Sequence, residues 1–317
     1  MKHLTSIILL FFTLSIVSCE KVIPFDTSIS ESEMVLNGVP SAEKQLFVYF
    51  AHTLFFLDST NNQPIQDVDM VVSINGVDYR PTSVDRCRYF FDYTLQEDDS
   101  LAIRIQTHDH TVTSHTTIPR LPRISQPVAY TNDSGAFHLL IVNFNIEDYP
   151  DYKDYYCITL LQHDSGSRYS PYFDRFDTID TTFATFFLCN DKDLVDPAIS
   201  SLMSIQGFSP FVRLLSPDDN IDGTVHNTTL TLIRLTDTNE VAPYLHEFTL
   251  DVETVSADRY RYLKNLDNAT SLMQLITEPP AVYSNVDGAL GIFAGNARRT
   301  FPLITFTEGT LPPPQKR

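Results

Sequence analysis

Asp218-Asp219-Asn220-Ile221-Asp222-Gly223 is the segment of this chain whose residue types and spacing come nearest to a recognisable chemistry. Side-chain oxygens at Asp218, Asn220 and Asp222, followed by glycine, match the first half of an EF-hand-type calcium loop. The twelfth position of such a loop carries a bidentate glutamate, and here it is Thr229. Residues 228–235 alternate as a strand and not as a flanking helix. The expectation is therefore a polar hairpin turn in which Asp, Asn and Gly serve the backbone, with Asp218, Asn220 and Asp222 as weak metal candidates. His108-Asp109-His110, with His115, is a second constellation. His108 and His110 would share one face of a strand and chelate a metal. The pair reads instead as a turn between two strands, with His115 on the opposite face. No Gly-x-Ser-x-Gly elbow, phosphate-binding glycine loop or dinucleotide fingerprint is present. Ten glycines in 317 residues argue against nucleotide cradles. The many carboxylates single out no glycosidase dyad. No catalytic residue and no cofactor is expected; a metal-dependent or other hydrolytic enzyme is the alternative.

Two further features bear on binding. Residues 169–187 are rich in aromatic side chains, among them Tyr172, Phe173, Phe176 and Phe186, with Asp174, Asp177 and Asp180 between the rings. Aromatics with few lysines are what interface centres are enriched in. The alternative is a long insert folded back over a β-rich core. The formal net charge of −18 argues against nucleic acid and anionic lipid as partners, because both are negatively charged.

The amino terminus carries its own signal. Lys2 and His3 precede an apolar run over residues 4–17, which ends at Ser18-Cys19. This arrangement resembles a bacterial lipoprotein signal, cut before the cysteine, whose thiol is then acylated with palmitate and related chains. The run is shorter than the ~20 apolar residues a spanning helix needs. Cys19 is thus the expected lipidation site, and two or three acyl chains anchor stably where one does not. The expected location is the cell envelope, with attachment through lipid. Glu20-Lys21-Val22 is not an acidic run, so the leaflet stays open. Cys87, Cys157 and Cys189 remain, an odd number without a Cys-x-x-Cys pair. They allow one disulfide, such as Cys157–Cys189, or buried free thiols.

The elements that must position these residues read as strands. Residues 34–38, 45–51, 68–74, 77–79, 89–93, 101–105 and 111–118 are apolar, β-branched or aromatic runs separated by turn residues. Asn75-Gly76 is a two-residue hairpin dipeptide. Seven short strands in about a hundred residues predict a β-sandwich. Pro119, Pro122 and Pro127 then predict a stiff connector. Strands follow at 137–144, 155–161, 228–235 and 244–252. Ser256 is placed to cap a helix carrying Tyr260, Leu263 and Leu266 on one face, which would run on through Leu272 and Ile276 to Pro279-Pro280. The expected organisation is a signal peptide (1–18), a tether (19–29), an Ig-like sandwich (30–118), a proline-rich linker (119–127), a β-rich domain with one helix (128–311) and a tail (312–317).

Several stretches also resemble one family. Cys19-Glu20-Lys21-Val22-Ile23-Pro24-Phe25-Asp26 leads into Val35-Leu36-Asn37-Gly38, and Pro64-Ile65-Gln66-Asp67-Val68-Asp69-Met70-Val71-Val72 follows. Asp148-Tyr149-Pro150-Asp151-Tyr152-Lys153-Asp154-Tyr155-Tyr156 forms an Asp/Tyr-rich turn. Val282-Tyr283-Ser284-Asn285-Val286-Asp287-Gly288-Ala289-Leu290-Gly291-Ile292-Phe293 is the most specific match. Together they resemble the Bacteroidota lipoprotein family called domain of unknown function 4249. The resemblance implies an outer-membrane lipoprotein partnering a TonB-dependent receptor, with a first domain similar to carboxypeptidase-regulatory-like sandwiches. It implies no catalytic residues. An Ig-like surface adhesin is a further alternative.

Overall fold

The computed structural model describes residues 32–53, 64–134, 137–170, 175–189, 191–195, 210–235, 244–269 and 282–308. All that follows concerns the compact unit made of Glu33–Thr53 and Ser59–Arg317. Strands dominate it, as the alternation of the sequence predicts.

The first sandwich uses β1 (Met34–Gly38), β2 (Gln45–His52), β3 (Asp69–Ile74), β4 (Val77–Tyr79), β5 (Ser83–Asp85), β6 (Arg88–Thr94), β7 (Ser100–Gln106) and β8 (Thr111–Thr117). Alternate residues point inward: Leu46, Val48 and Phe50 from β2, Met70, Val72 and Ile74 from β3, and Leu101, Ile103 and Ile105 from β7. Each buried side chain of this size contributes roughly 1.5–3 kcal/mol relative to exposure. Asn75 and Gly76 turn the β3–β4 hairpin with φ of 51° and 84°, the pair of positive angles that makes Asn-Gly the favoured dipeptide. The Asn75 side chain also donates to Asp99 Oδ1 at 2.7 Å and accepts from the Ser100 amide at 3.0 Å.

The second sandwich is built from β9 (Arg123–Ile124), β10 (Val128–Ser134), β11 (Phe137–Glu147), β12 (Tyr155–Ser170), β13 (Arg175–Ala184), β14 (Phe187–Cys189), β15 (Pro210–Phe211), β16 (Leu214–Pro217), β17 (Val225–Leu235) and β18 (Tyr244–Val255). The helix α1 (Ala257–Ala269) follows, then β19 (Leu290–Phe293) and β20 (Asn296–Glu308). One sheet has the order β10-β11-β17-β14-β15, with β9 beside β11; the other runs β13-β12-β18-β20, with β16 beside β12. Leu140, Val142, Phe144 and Leu230 from the first meet Ile158, Leu160, Phe248 and Leu250 from the second. Ser256 caps α1 as expected, its Oγ accepting from the Arg259 amide at 3.4 Å. Leu263 packs with Cys157, Leu215 and Val255. The expected continuation through Leu272 and Ile276 to Pro279-Pro280 lies outside the described residues.

Two features differ from a chain of two domains joined by a linker. The proline-rich connector is packed: Ile118 and Leu121 are buried in the first core, and Arg123-Ile124 adds to β11 as β9. Proline sets φ there without preventing the apolar residues between from finding cores. The far end of the chain also returns to the first sandwich, where β19 pairs in parallel with β1, Val35 opposite Leu290 and Gly38 opposite Phe293. Val286, Phe293 and Ala297 complete the first core. The sheets of that sandwich therefore run β19-β1-β2-β6-β5 against β4-β3-β7-β8.

Asn285 holds this return in place. Its Nδ2 donates to the Phe293 carbonyl at 2.8 Å, and its Oδ1 accepts from the Phe293 amide at 2.9 Å. Its own carbonyl accepts from Ser114 Oγ at 2.8 Å. Gly291, with φ of 116°, lies so close to β1 that a Cβ there would sit 2.0 Å from the Leu36 carbonyl oxygen. We expect Gly291→Ala to cost at least ~2 kcal/mol in urea unfolding. Gly76→Ala, whose Cβ would meet nothing within 4 Å, should cost only about 1 kcal/mol, the strain of a positive φ. Equal losses at the two positions would mean that the close approach of β19 to β1 carries no weight.

Candidate functional site

The Asp/Tyr-rich turn and the Asp218–Gly223 turn meet beside the second sandwich and bury three carboxylates. Asp148, Asp154 and Asp218 are 3 %, 1 % and 2 % exposed. Asp148 accepts from the Tyr156 hydroxyl at 2.6 Å and from the Gly223 amide at 2.9 Å. Asp218 accepts from the Asp154 amide at 2.5 Å and pairs with the Lys153 ammonium, which also reaches Asp219. Neither oxygen of Asp154 has a hydrogen-bond partner among the described residues. Burial, reinforced by Asp148 and Asp218, pushes the Asp154 carboxyl up to about 7. Burial also raises Asp148, against the pull of its two donors. Burial and the bond to Asp148 raise the Tyr156 phenol. Burial opposes the charge on Lys153, yet Asp218 and Asp219 hold it above the usual lysine range.

The three calcium candidates do not converge. Asp218 ties down residues 153 and 154. Asn220 turns away, donating to the Asp193 carbonyl at 3.1 Å, and Asp222 is exposed. The segment is a turn, held by Ile221 and Thr224 amides donating to the Asp218 and Ile221 carbonyls. His108 and His110 likewise lie on an exposed turn, closed by the Thr107 amide donating to the His110 carbonyl at 2.9 Å, with His115 on β8.

Two polar clusters escape a reading of the sequence. Asp191, Asp193 and His226 each offer a donor atom within 4.8 Å of the others. His226 Nε2 is 2.6 Å from Asp191 Oδ2. His226 is far from Asp191 in sequence, and only the β14–β17 pairing, Cys189 opposite Leu230, brings the two together. The other cluster lies inside the second sandwich. His246 Nδ1 is 2.6 Å from Asp164 Oδ1 and 3.2 Å from Gln162 Nε2, all three residues being buried. Here a signal existed: the inward series Tyr156, Ile158, Leu160 continues through Gln162 and Asp164, and Asp164 faces His246 across the strands.

The aromatic tract is partly outside the described residues, which exclude Tyr172 and Phe173. Phe176 lies on β13 opposite Tyr169. Phe186 is 63 % exposed and Phe183 43 % exposed, whereas Phe187 turns inward against Phe211. Cys19 also lies outside the described residues. Cys87, Cys157 and Cys189 are free and buried, so the Cys157–Cys189 bridge allowed by the count is not formed. Burial pushes the Cys157 thiol up to about 12 and the Cys189 thiol up to about 11, far from a reactive thiolate at neutral pH. A cleft of about 500 Å³ opens along the connector, with Arg123, Glu147, Tyr149 and Arg299 among its lining.

The buried carboxyl fixes the sign of a pH dependence. A carboxyl whose folded pKa is raised binds its proton more tightly folded than unfolded. Its penalty is absent below about pH 4, grows as pH rises to about 7, and stays constant above that. Asp154→Asn should therefore stabilise more at pH 8 than at pH 4, by no more than ~4 kcal/mol, in urea melts at the two values. An equal effect at both would mean that folding leaves the carboxyl's affinity for its proton unchanged, and a larger loss at pH 8 that it is ionised and paired. Calorimetry should find no calcium binding to the mature protein tighter than ~1 mM. Micromolar binding lost in Asp222→Ala would contradict the geometry of the turn.

No curated protein matches this chain. Two solved structures show only distant similarity. One, from Gaeumannomyces graminis and Komagataella pastoris, is described as manganese lipoxygenase with partial zonadhesin; it is 11% identical with a TM-score of 0.20, over 88% of this chain and 86% of that one. The other, the Enterococcus faecalis MSCRAMM ACE, described as binding its ligands by the collagen hug model, is 9% identical with a TM-score of 0.20, over 86% of this chain and 94% of that one. At these scores neither bears on what the protein does. A family model does match, over residues 20–301, the one described as domain of unknown function DUF4249. The chain belongs to that family.

Proposed function

We propose that the mature protein is a lipid-anchored, non-enzymatic binding or accessory lipoprotein of the outer membrane, which partners a TonB-dependent receptor in uptake. The observation that carries the binding role is the exposed corner between β13 and β14. Phe183 and Phe186 stand in solvent there, while their neighbour Phe187 is buried. Large rings with few rotatable bonds bury much area on binding at small entropic cost. The anchoring role rests on residues 4–19, an apolar run ending at Ser18-Cys19. The choice of receptor as partner rests on the likeness of the Cys19–Asp26 and Tyr283–Phe293 stretches to lipoproteins that accompany such receptors. The buried His246–Asp164–Gln162 network fits a structural role, since each member is satisfied by another and none is open to a substrate.

Two experiments test this reading. Cys19→Ala should leave the protein soluble in the periplasm or stalled as precursor; a mutant that matures and stays in the outer membrane after a salt wash contradicts the anchor. The wild type should co-purify with a TonB-dependent receptor from native membrane. Phe183→Ser/Phe186→Ser, melting at the wild-type temperature, should weaken that complex by ~2–4 kcal/mol. No receptor with wild type refutes the partner. Equal recovery with the double mutant removes this corner from the interface.

A further inference from the structure

The geometry points to a divalent transition-metal site at the end of β14, made by Nδ1 of His226 and the carboxylate of Asp193, with Asp191 as the residue that positions the imidazole. Asp191 is 10 % exposed at its side chain and His226 17 %. Asp191 is itself pinned: Oδ2 accepts from Thr228 Oγ1 at 3.2 Å and Oδ1 accepts from the Asp193 amide at 3.0 Å. A carboxylate 2.6 Å from Nε2 assigns the ring proton to that nitrogen and leaves the Nδ1 lone pair free. This is the carboxylate–histidine arrangement that raises the basicity of a metal-binding nitrogen and fixes its direction.

Among the described residues, no hydrogen bond to Nδ1 is formed. This nitrogen faces Asp193 Oδ2 at 4.0 Å, too far for one. A tetrahedral zinc ion, with nitrogen at ~2.0 Å and oxygen at ~2.1 Å, separates such a pair by about 3.4 Å. Asp193 is 57 % exposed at its side chain, so a change of its rotamer closes the remaining gap without disturbing the core. Its main chain is already fixed, because Asn220 donates to its carbonyl. One imidazole and one carboxylate, with water in the other positions, suit a first-row ion of the zinc type better than calcium, which takes six to eight oxygens. The Asp218–Gly223 turn thus serves metal chemistry only indirectly, through Asn220, by holding Asp193 in place.

Zinc is the probe. Calorimetric titration of the mature protein should give one saturable site. Asp193→Asn and His226→Gln should each weaken it at least ~10-fold, while His108→Ala/His110→Ala, which removes the exposed histidine turn, should leave it unchanged. Thermal melts accompany each variant. Asp193→Asn, lying outside the core, decides the matter if His226→Gln unfolds. The absence of a saturable site, a loss smaller than tenfold in Asp193→Asn, or loss in the His108/His110 variant overturns the assignment.

Discussion

The pairing of β1 with β19 is the interaction on which the rest of this structure depends. A strand at the edge of a sheet exposes a row of unpaired amides and carbonyls. Here the outer side of β1 is filled by residues from the far end of the chain, running parallel to it. The return continues without a break into the other sandwich. The Ala294 amide donates to the Gly38 carbonyl at 3.0 Å, and the Asn296 amide to the Pro40 carbonyl at 2.9 Å. The Gly295 amide donates to Thr116 Oγ1 at 2.8 Å, and its carbonyl accepts from the Ser256 amide at 2.9 Å. Asn296 then opens β20, the neighbour of β18. Within a few residues one stretch of chain is hydrogen-bonded to both sandwiches.

That seam explains why the connector is not a flexible tether. Arg120 pairs with Asp98 at 3.0 Å and lies over the rings of Tyr149 and Tyr152, and its carbonyl accepts from Thr254. Arg123 stacks on Tyr149 with 3.9 Å between guanidinium and ring centre. Each cation–ring contact contributes ~0.5–2 kcal/mol depending on its burial. Their sum fixes the turn that carries Asp148 and Asp154. The buried carboxylates are thus a consequence of the junction: the polypeptide turns sharply, and aspartates satisfy amides such as that of Gly223 which no strand reaches. Asp154 is the exception, a carboxyl with no hydrogen-bond partner among the described residues, and it is kept nearer to its neutral form by that very surrounding.

The local pattern of the chain was legible in advance. Strands such as β7, with Leu101, Ile103 and Ile105 inward and polar residues between, declare themselves by period two. Asn75-Gly76 and Ser256 act only on their neighbours, so their roles as turn and cap could be read directly. What escaped lies between residues distant in sequence. β13 carries Asp177, Thr178, Asp180, Thr181 and Thr182 and owes its existence to pairing with β12, not to a buried face. β19 is four residues containing a glycine at φ 116°, which no strand propensity would favour. The domain boundary placed at the prolines followed from composition, whereas the return of residues 286–297 is a property of the closed fold. The candidate site shows the same division. The acidic turn was expected to be a turn because Thr229 stands where a ligand would be needed. The Asp191–His226 contact exists only because β14 lies beside β17.

The seam makes a direct claim about cooperativity: two sandwiches hydrogen-bonded to one stretch of chain should not unfold separately. Scanning calorimetry of the mature protein tests it. Joined through the seam, the two sandwiches should melt in a single transition whose calorimetric and van't Hoff enthalpies agree. Two resolved transitions, each with the enthalpy of one sandwich, would contradict it and return the molecule to a pair of independent domains joined at the prolines.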